Sequence, residues 1–508
     1  MFVRKKPNKS GVVSIQILEK RSGKSTLLKT VGSSSDPEKI KELFEQGKRL
    51  INELRGQSFL NFDIHNEAQL VDLFFSGIRE LSLAGPELLL GKLFDEIGFN
   101  TIKEDLFRHL VITRLCYPAS KLKTVDYLFK HKGIAIDVES VYRYLDKLNS
   151  KQKEKVQEIS YTHTLQILNN ELNLVFYDVT TLYFEAEQED ELRKTGFSKD
   201  GKHQQPQIVL GLLVSTVGYP LAYEIFEGNK FEGHTMLPVI EAFKTKYELK
   251  ELIVIADAGL MSNDNILELQ SKNYRYIIGA RIKNENKIVQ KKILATALKN
   301  GESVAIVKDE NSRIIISYSD ARATKDAANR KRGLEKLKKN LAKGKLTKQH
   351  INNRGYNKYL KLEGDLKISI NEEKYQDDSK WDGLKGYTTN SPLPKDEIIE
   401  NYNQLWHIEK AFRISKTDLR IRPIYHRLKR RIEAHICIAF CAYKVYKELD
   451  RQLKTKKADM SPEKAIDIAK TIFKITIQTK LSNTLHSRLY IDKDEQRRLL
   501  KLFDLDFG

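Results

Sequence analysis

Residues 174–178, Leu-Val-Phe-Tyr-Asp, and 252–257, Leu-Ile-Val-Ile-Ala-Asp, decide the fold. Each is an apolar run of strand length that ends on an aspartate, as expected of a strand buried on both faces. Between them lie a second apolar run, Ile208–Ser215, a Gly218-Tyr219-Pro220 turn and a third run, Leu221–Phe226, which reads as an antiparallel partner. Leu237, Ile240, Phe243 and Tyr247 then fall on one helical face. The order strand, strand, strand, helix, strand sets the first and fourth strands side by side in an α/β sheet. That adjacency brings Asp178 and Asp257 together, although either aspartate alone reads as a turn former or helix cap.

Working outward, a helix at Asn265–Ser271 and a strand at Tyr274–Ile282 continue the pattern, and regularity is then lost from about Lys283 to Leu384. Residues 325–348 hold ten Lys or Arg against two acids, with the thin stripe Leu334, Leu337 and Leu341 as their apolar face; a solvated helix or a DNA-backbone contact both suit them. Strand character returns at Leu366–Ile370 and Gly383–Thr388. After Pro392 and Pro394 one helix is expected from Asp396 to Lys416. On it Tyr402, Glu409 and Lys416 are spaced by seven and Arg413 lies four beyond Glu409, so all four share a face. Glu400, nine positions from Glu409, lies on the opposite face. An amphipathic helix with surface ion pairs fits this stripe as well. Three carboxylates suit a hard cation: Mg²⁺ takes oxygen ligands, and two such ions can activate a nucleophile and stabilise the leaving oxygen of an in-line displacement at phosphorus. Tyr402, Arg413 and Lys416 would flank Glu409 with groups that position DNA.

Composition agrees. The 508 residues hold 88 Lys or Arg against 68 Asp or Glu, a net charge of +20, which points to a polyanionic partner. Three cysteines make no disulfide framework, the N-terminus has no signal-peptide apolar region, and no apolar run approaches membrane-spanning length. The expectation is a cytoplasmic protein with no membrane partner.

Three motifs carry a family resemblance: VFYDVTTLYFE around Asp178 with the following GFSKDGKHQQPQIVLGLLVSTVGYPLAYEIFEGNKFEGHT, IVIADAGLMS around Asp257, and YNQLWHIEKAFRISKTDLRIRPIYH around Glu409. Together they resemble bacterial insertion-sequence transposases of the DDE class, in the IS-four superfamily, from about Asn173 to Cys441. CYPASKL and VYRYLDKL resemble the N-terminal part of its larger members. The resemblance implies an RNase H-like catalytic core with a β-rich insertion between the second Asp and the Glu. It also implies Mg²⁺ dependence, for which Mn²⁺ can stand in, and cut-and-paste movement of the protein's own element through its inverted terminal repeats. Asp178, Asp257 and Glu409 are then the catalytic metal ligands, and Tyr402, Arg413, Lys416, Arg422 and His426 the DNA contacts. The family's last-helix signature is Tyr, two residues, Arg, three residues, Glu, six residues, Lys; here Leu405 occupies the Arg position.

The expected divisions are a small unit over 1–60, a helical stretch over 61–172 that reads either as a DNA-binding domain or as a plain helical bundle, the first part of the core over 173–282, a basic and partly β insertion over 283–385, the second part of the core with the catalytic helix over 386–426, and a helical C-terminus over 427–508. The pairing of two element ends implies a homodimer when assembled on terminal-repeat and target DNA, in a bacterial, nucleoid-associated setting. Ser22-Gly23-Lys24-Ser25 lacks the upstream glycine of a phosphate-cradling loop, so ATP is not expected. His435, Cys437 and Cys441 sit in an apolar helical run and read as core rather than zinc ligands. Two other functions fit the same residues: an RNase H-like nuclease without strand transfer, and an inactive, domesticated DNA-binding protein.

Overall fold

Asp178 lies in the middle of a strand, not at its end. In the computed structural model, which describes all residues except 22, 55–66, 149, 199–200, 261–262, 353, 364–366, 480–482 and 506–508, strand β1 runs Leu174–Tyr183. The residues after the aspartate, Val-Thr-Thr-Leu-Tyr, are β-branched or aromatic except Leu182, which favours continuing the strand through a single Asp. Beside β1 stand β2 (Gln207–Ser215), β3 (Pro220–Glu227), β4 (Ile253–Ala256), β5 (Arg275–Ala280), β6 (Ser303–Val307), β7 (Arg313–Tyr318) and β8 (Leu384–Thr389). They form one mixed sheet in the order β6-β7-β8-β5-β4-β1-β2-β3. β4 is parallel to both β1 and β5, and the outer pairings are antiparallel. The expected adjacency of the first and fourth strands is therefore present.

Three expectations need correction. The stretch 283–384, read as irregular, contributes β6 and β7 to the main sheet, because Arg-Ile-Ile-Ile-Ser-Tyr supplies a fully buried strand centre beside β8. The expected single helix 396–416 is two helices that break at Gln404 and Leu405. The C-terminal region includes strands at Phe473–Gln478 and Leu485–Tyr490, where Phe-Lys-Ile-Thr-Ile-Gln alternates with the strand period of two; a short strand, Ile78–Leu83, likewise interrupts the helical stretch. The basic run 325–348 lies largely in a helix, Asp320–Ala342, with only Gly333, Leu334 and Leu337 buried.

The helices that position the site are α1 (Asp105–Cys116), α2 (Lys121–Lys132), α3 (Val138–Lys147), α4 (Met236–Lys246), α5 (Lys395–Asn403), α6 (Trp406–Thr417) and α7 (Lys429–Thr455). Asp137 caps α3 by accepting from the Ser140 amide, as the sequence pattern requires. Helix α7 is buried nearly all round. One face of the sheet, through Phe176, Ile253 and Ile255, shares its core with α1, α6 and α7; the other, through Val175, Tyr177 and Val254, packs on α4.

The chain divides into two units, residues 1–79 with 477–486, and 80–476 with 487–508. The first holds an antiparallel sheet of Phe2–Pro7, Val13–Arg21 and Lys24–Ser34 with the helix Pro37–Leu54, and buries Ile15, Ile17, Leu18 and Ile51. The second holds everything below. Among the described residues no helix is long and apolar enough to cross a membrane.

Candidate active site

The parallel register of β1 and β4 aligns the two aspartates. Leu174 pairs with Ile253, Val175 with Val254 and Phe176 with Ile255. The same offset carried two residues further sets Asp178 opposite Asp257, on strands spaced about 4.8 Å apart. Because side chains alternate, Asp178 shares the face of Phe176 and Asp257 that of Ile255, which is the face covered by α6. Helix α6 carries Glu409 across that face, held there by buried Ile408, Ala411 and Phe412. Asp257 and Glu409 are exposed and Asp178 is half-buried.

Asp257 is the best-defined of the three. Its Oδ1 accepts from the Ala258 amide at 2.8 Å and from the Tyr402 hydroxyl at 3.2 Å. Tyr402 was expected to offer an aromatic surface to DNA. It is instead 7% exposed, packed edge-on against Tyr387 with ring centroids 4.9 Å apart. The break at Gln404 and Leu405 separates its helix from that of Glu409, and Gly279 admits it: a Cβ there would collide with the Tyr402 hydroxyl. Burial, with the charges of Asp257 and Glu409 adding to it, raises the phenol pKa, so the hydroxyl stays protonated and donates.

Lys385, which no sequence motif marks, places Nζ 4.8 Å from the Tyr402 ring centroid and 5.0 Å from that of Tyr387. Burial lowers its pKa, as does Arg322, while Asp257 opposes the shift. A groove of about 730 Å³ lined by Ala258, Gly279, Arg281, Asn284, Lys308 and Ser312 opens beside Asp257.

The remaining expected contacts divide. Arg413 is exposed one turn beyond Glu409, and Lys416 is half-buried in the last turn of α6. Leu405, at the family's Arg position, is 7% exposed in the core, so no phosphate contact comes from it. Arg422 and His426 meet in a pocket that includes none of the three carboxylates. Arg422 lies over the Tyr183 ring at 5.8 Å, beside the chain crossing where the Ile424 amide donates to the Tyr183 carbonyl at 3.1 Å. His426 is held neutral: burial and the charges of Lys121, Arg114 and Arg431 lower its pKa to about 4.

As the side chains stand, no three His, Cys, Asp or Glu among the described residues are grouped closely enough to hold one metal ion. His435, Cys437 and Cys441 are buried in α7, and His435 Nε2 lies 2.9 Å from the Ile421 carbonyl, which agrees with core packing.

The sequence model of the family described as "Transposase DDE domain" matches residues 170–444. The chain is 25% identical over 268 residues to the "Transposase for insertion sequence element IS231E" of Bacillus thuringiensis subsp. finitimus. That alignment covers 50% of this chain and 52% of the relative, about half the length of each. Among solved structures it is similar to a piggyBac transposase synaptic complex with hairpin DNA, with TM-score 0.38 and 9% identity over 76% of this chain and 79% of that one. It is also similar to the Mos1 transposase paired-end complex with left transposon end, with TM-score 0.16 and 12% identity over 31% and 53%.

Proposed function

Since the chain belongs to the DDE-domain transposase family, we propose that it cuts the ends of its own insertion sequence and joins them to target DNA by metal-dependent phosphoryl transfer, in the manner of the IS-four branch. The observation that carries the reading is the parallel register opposing Asp178 to Asp257 on the sheet face that α6 crosses with Glu409. In this reading the sheet is the RNase H-like core, the helical stretch 61–172 contributes to DNA binding, and 283–385 is an insertion that lengthens the sheet.

The donor set fits Mg²⁺ in its chemistry: all three side chains offer hard carboxylate oxygens, and neither Asp257 nor Glu409 is spent on an ion pair among the described residues. Asp178, Asp257 and Glu409 would hold the ion, which supplies Lewis acidity at the scissile phosphate when bound. Tyr402 fixes the Asp257 carboxylate by donating from its hydroxyl to Oδ1. Lys385 and Arg413 offer cationic charge to the phosphates on either side. Two DNA ends handled at once call for two copies of the chain, a homodimer on DNA.

The test is Glu409→Gln compared with Glu400→Gln on DNA carrying the element's ends. Gln keeps the volume and nearly the helix propensity of Glu, so Glu409→Gln should bind DNA as before while Mg²⁺-dependent nicking falls by several orders of magnitude. Loss of nicking in Glu400→Gln but not in Glu409→Gln would remove Glu409 from the site.

A further inference from the structure

Arg114 and Lys121 are 7% and 5% exposed, yet neither has an acidic partner among the described residues. The Arg114 guanidinium reaches only the Leu419 carbonyl, at 3.5 Å, the long limit of a hydrogen bond. Both line a cavity of about 270 Å³ with Arg420, Arg422, His426 and Tyr142. No Asp or Glu among the described residues lines it. The one carboxylate that acts on His426, Asp146, is already held by Arg430 at 2.8 Å and by Arg431 at 2.7 and 2.8 Å.

A fold has no use for this arrangement. Burying a cation without a counter-charge is costly, and placing a second beside it adds repulsion. Burial accordingly lowers the pKa of Arg114 to about 10, and burial with the Arg114 charge lowers that of Lys121 well below its ordinary value. An anion in the cavity would relieve both. The donors are of the kind that phosphate takes: guanidinium forks, an ammonium, a neutral imidazole and the Ser120 turn that opens α2. Tyr425, 72% exposed at the rim, offers a stacking surface for a sugar or base.

We propose that Arg114 and Lys121, with Arg422, form a buried phosphate-binding pocket that takes a backbone phosphodiester of the bound DNA away from the carboxylates. The identity of the DNA rests on the transposase reading; the affinity for phosphate does not. Arg422 packs on Tyr183, five residues along β1 from Asp178, so the pocket lies roughly 17 Å along the strand from that carboxylate. At about 3.4 Å per step, this is on the order of five nucleotides of one duplex strand. The pocket therefore acts as a second anchor that sets the register of DNA at the cutting site and joins the helical stretch to the core through the substrate.

The test uses the full chain, inorganic phosphate and a generic duplex of about 30 base pairs. Phosphate should raise the melting temperature of the wild type, and Lys121→Met should abolish that rise while leaving the ligand-free protein as stable or more stable. The same variant should weaken duplex binding about tenfold or more and reduce the slope of log affinity against log salt by about one. Arg422→Gln, nearer the surface, repeats both arms should Lys121→Met fail to fold. Equal phosphate stabilisation of wild type and variant overturns the pocket. A phosphate effect with unchanged duplex affinity and salt slope overturns the DNA assignment and leaves free phosphate as the ligand. Because neither arm requires cleavage, a wild type that never nicks DNA tells against the transposase reading alone.

Discussion

Two buried basic clusters stand in the larger unit, and they are built in opposite ways. Lys444 in the middle of α7 is fully buried, and its Nζ donates to the Ser160 carbonyl at 3.0 Å and to Thr164 Oγ1 at 2.6 Å, 4.0 Å from the Tyr219 ring centroid. One turn on, Glu448 accepts from Tyr219, Arg451 and Gln452, and Lys447 pairs with Asp450 at 2.9 Å. Lys444 there has two hydrogen-bond acceptors and the charge of Glu448 near it, and Glu448, Lys447, Asp450 and Arg451 are paired with one another. Arg114 and Lys121 are about as deeply buried and have no carboxylate partner among the described residues, Arg114 reaching only the Leu419 carbonyl at 3.5 Å. A polar network that is complete within the chain rigidifies the fold, whereas one that is incomplete is completed by something else. By the same logic Asp257 and Glu409, outside any ion pair among the described residues in a chain with 20 excess positive charges, agree with the proposed cation site.

The largest expected effect breaks function and spares structure. Asp257→Asn should reduce nicking by several orders of magnitude with the melting temperature almost unmoved, since the exposed side chain keeps its size and the Tyr402 hydroxyl keeps an oxygen to donate to. A large stability loss in this variant would place Asp257 with the structural network instead.

Next comes the reverse case. Glu448→Gln leaves Lys444 buried with its nearest carboxylate gone, so stability should fall by about 3 to 5 kcal/mol. Chemical denaturation measures this. Together with Lys121→Met, which should not destabilise, it sets two buried cations side by side with opposite outcomes; equal losses in both would erase the distinction between the clusters.

How much of this was legible follows from the range of each interaction. Val254, Ile255 and Ala256 announce β4 by composition alone, and the order of elements sufficed to align it with β1. The continuation of β1 past Asp178 was hidden because a single polar residue ends an apolar run on paper, whereas the pairing Asp178 with Leu212 through Tyr183 with Gln207 holds it in the sheet. The break at Gln404 and Leu405 left no mark, since the apolar spacing of Ile398, Tyr402, Leu405 and Ile408 continues across it. Lys385, Arg114 and Lys121 carry no local signal at all. For Arg114 and Lys121 the roles arise from residues hundreds of positions away, as where Lys121 and Arg422 line one cavity, and no periodicity encodes that meeting; for Lys385 they arise from the fold bringing Tyr402 and Asp257 to it.

A smaller effect tests how firmly Asp257 is held. Tyr402→Phe removes one hydrogen bond to Oδ1 and nothing from the packing against Tyr387. A residue that orients a metal ligand typically contributes 10- to 100-fold, so nicking should fall by about that factor. The metal dependence should reveal the role: higher Mg²⁺ should recover part of the lost rate in Tyr402→Phe and none of it in a variant that has lost DNA affinity, such as Arg413→Gln.

The smallest effect is graded with pH and belongs to His163, which borders the complete network with Nε2 3.8 Å from Glu448. Burial first, then the charge of Lys444, lowers its pKa from 6.5 to about 4, with Glu448 opposing. Between those values the unfolded chain takes up a proton at this residue and the folded chain does not. The folded state is therefore favoured fully above pH 6.5 and loses that advantage as the pH falls toward 4. The slope for one such group is at most about 1.4 kcal/mol per pH unit. His163→Gln should flatten the stability profile between pH 6.5 and 4 by up to that amount and leave the profile above pH 7 with an unchanged slope. An equally steep acid loss in the variant would mean that His163 is protonated in the fold, paired with Glu448, and that the network around Lys444 carries one more charge than its hydrogen bonds imply.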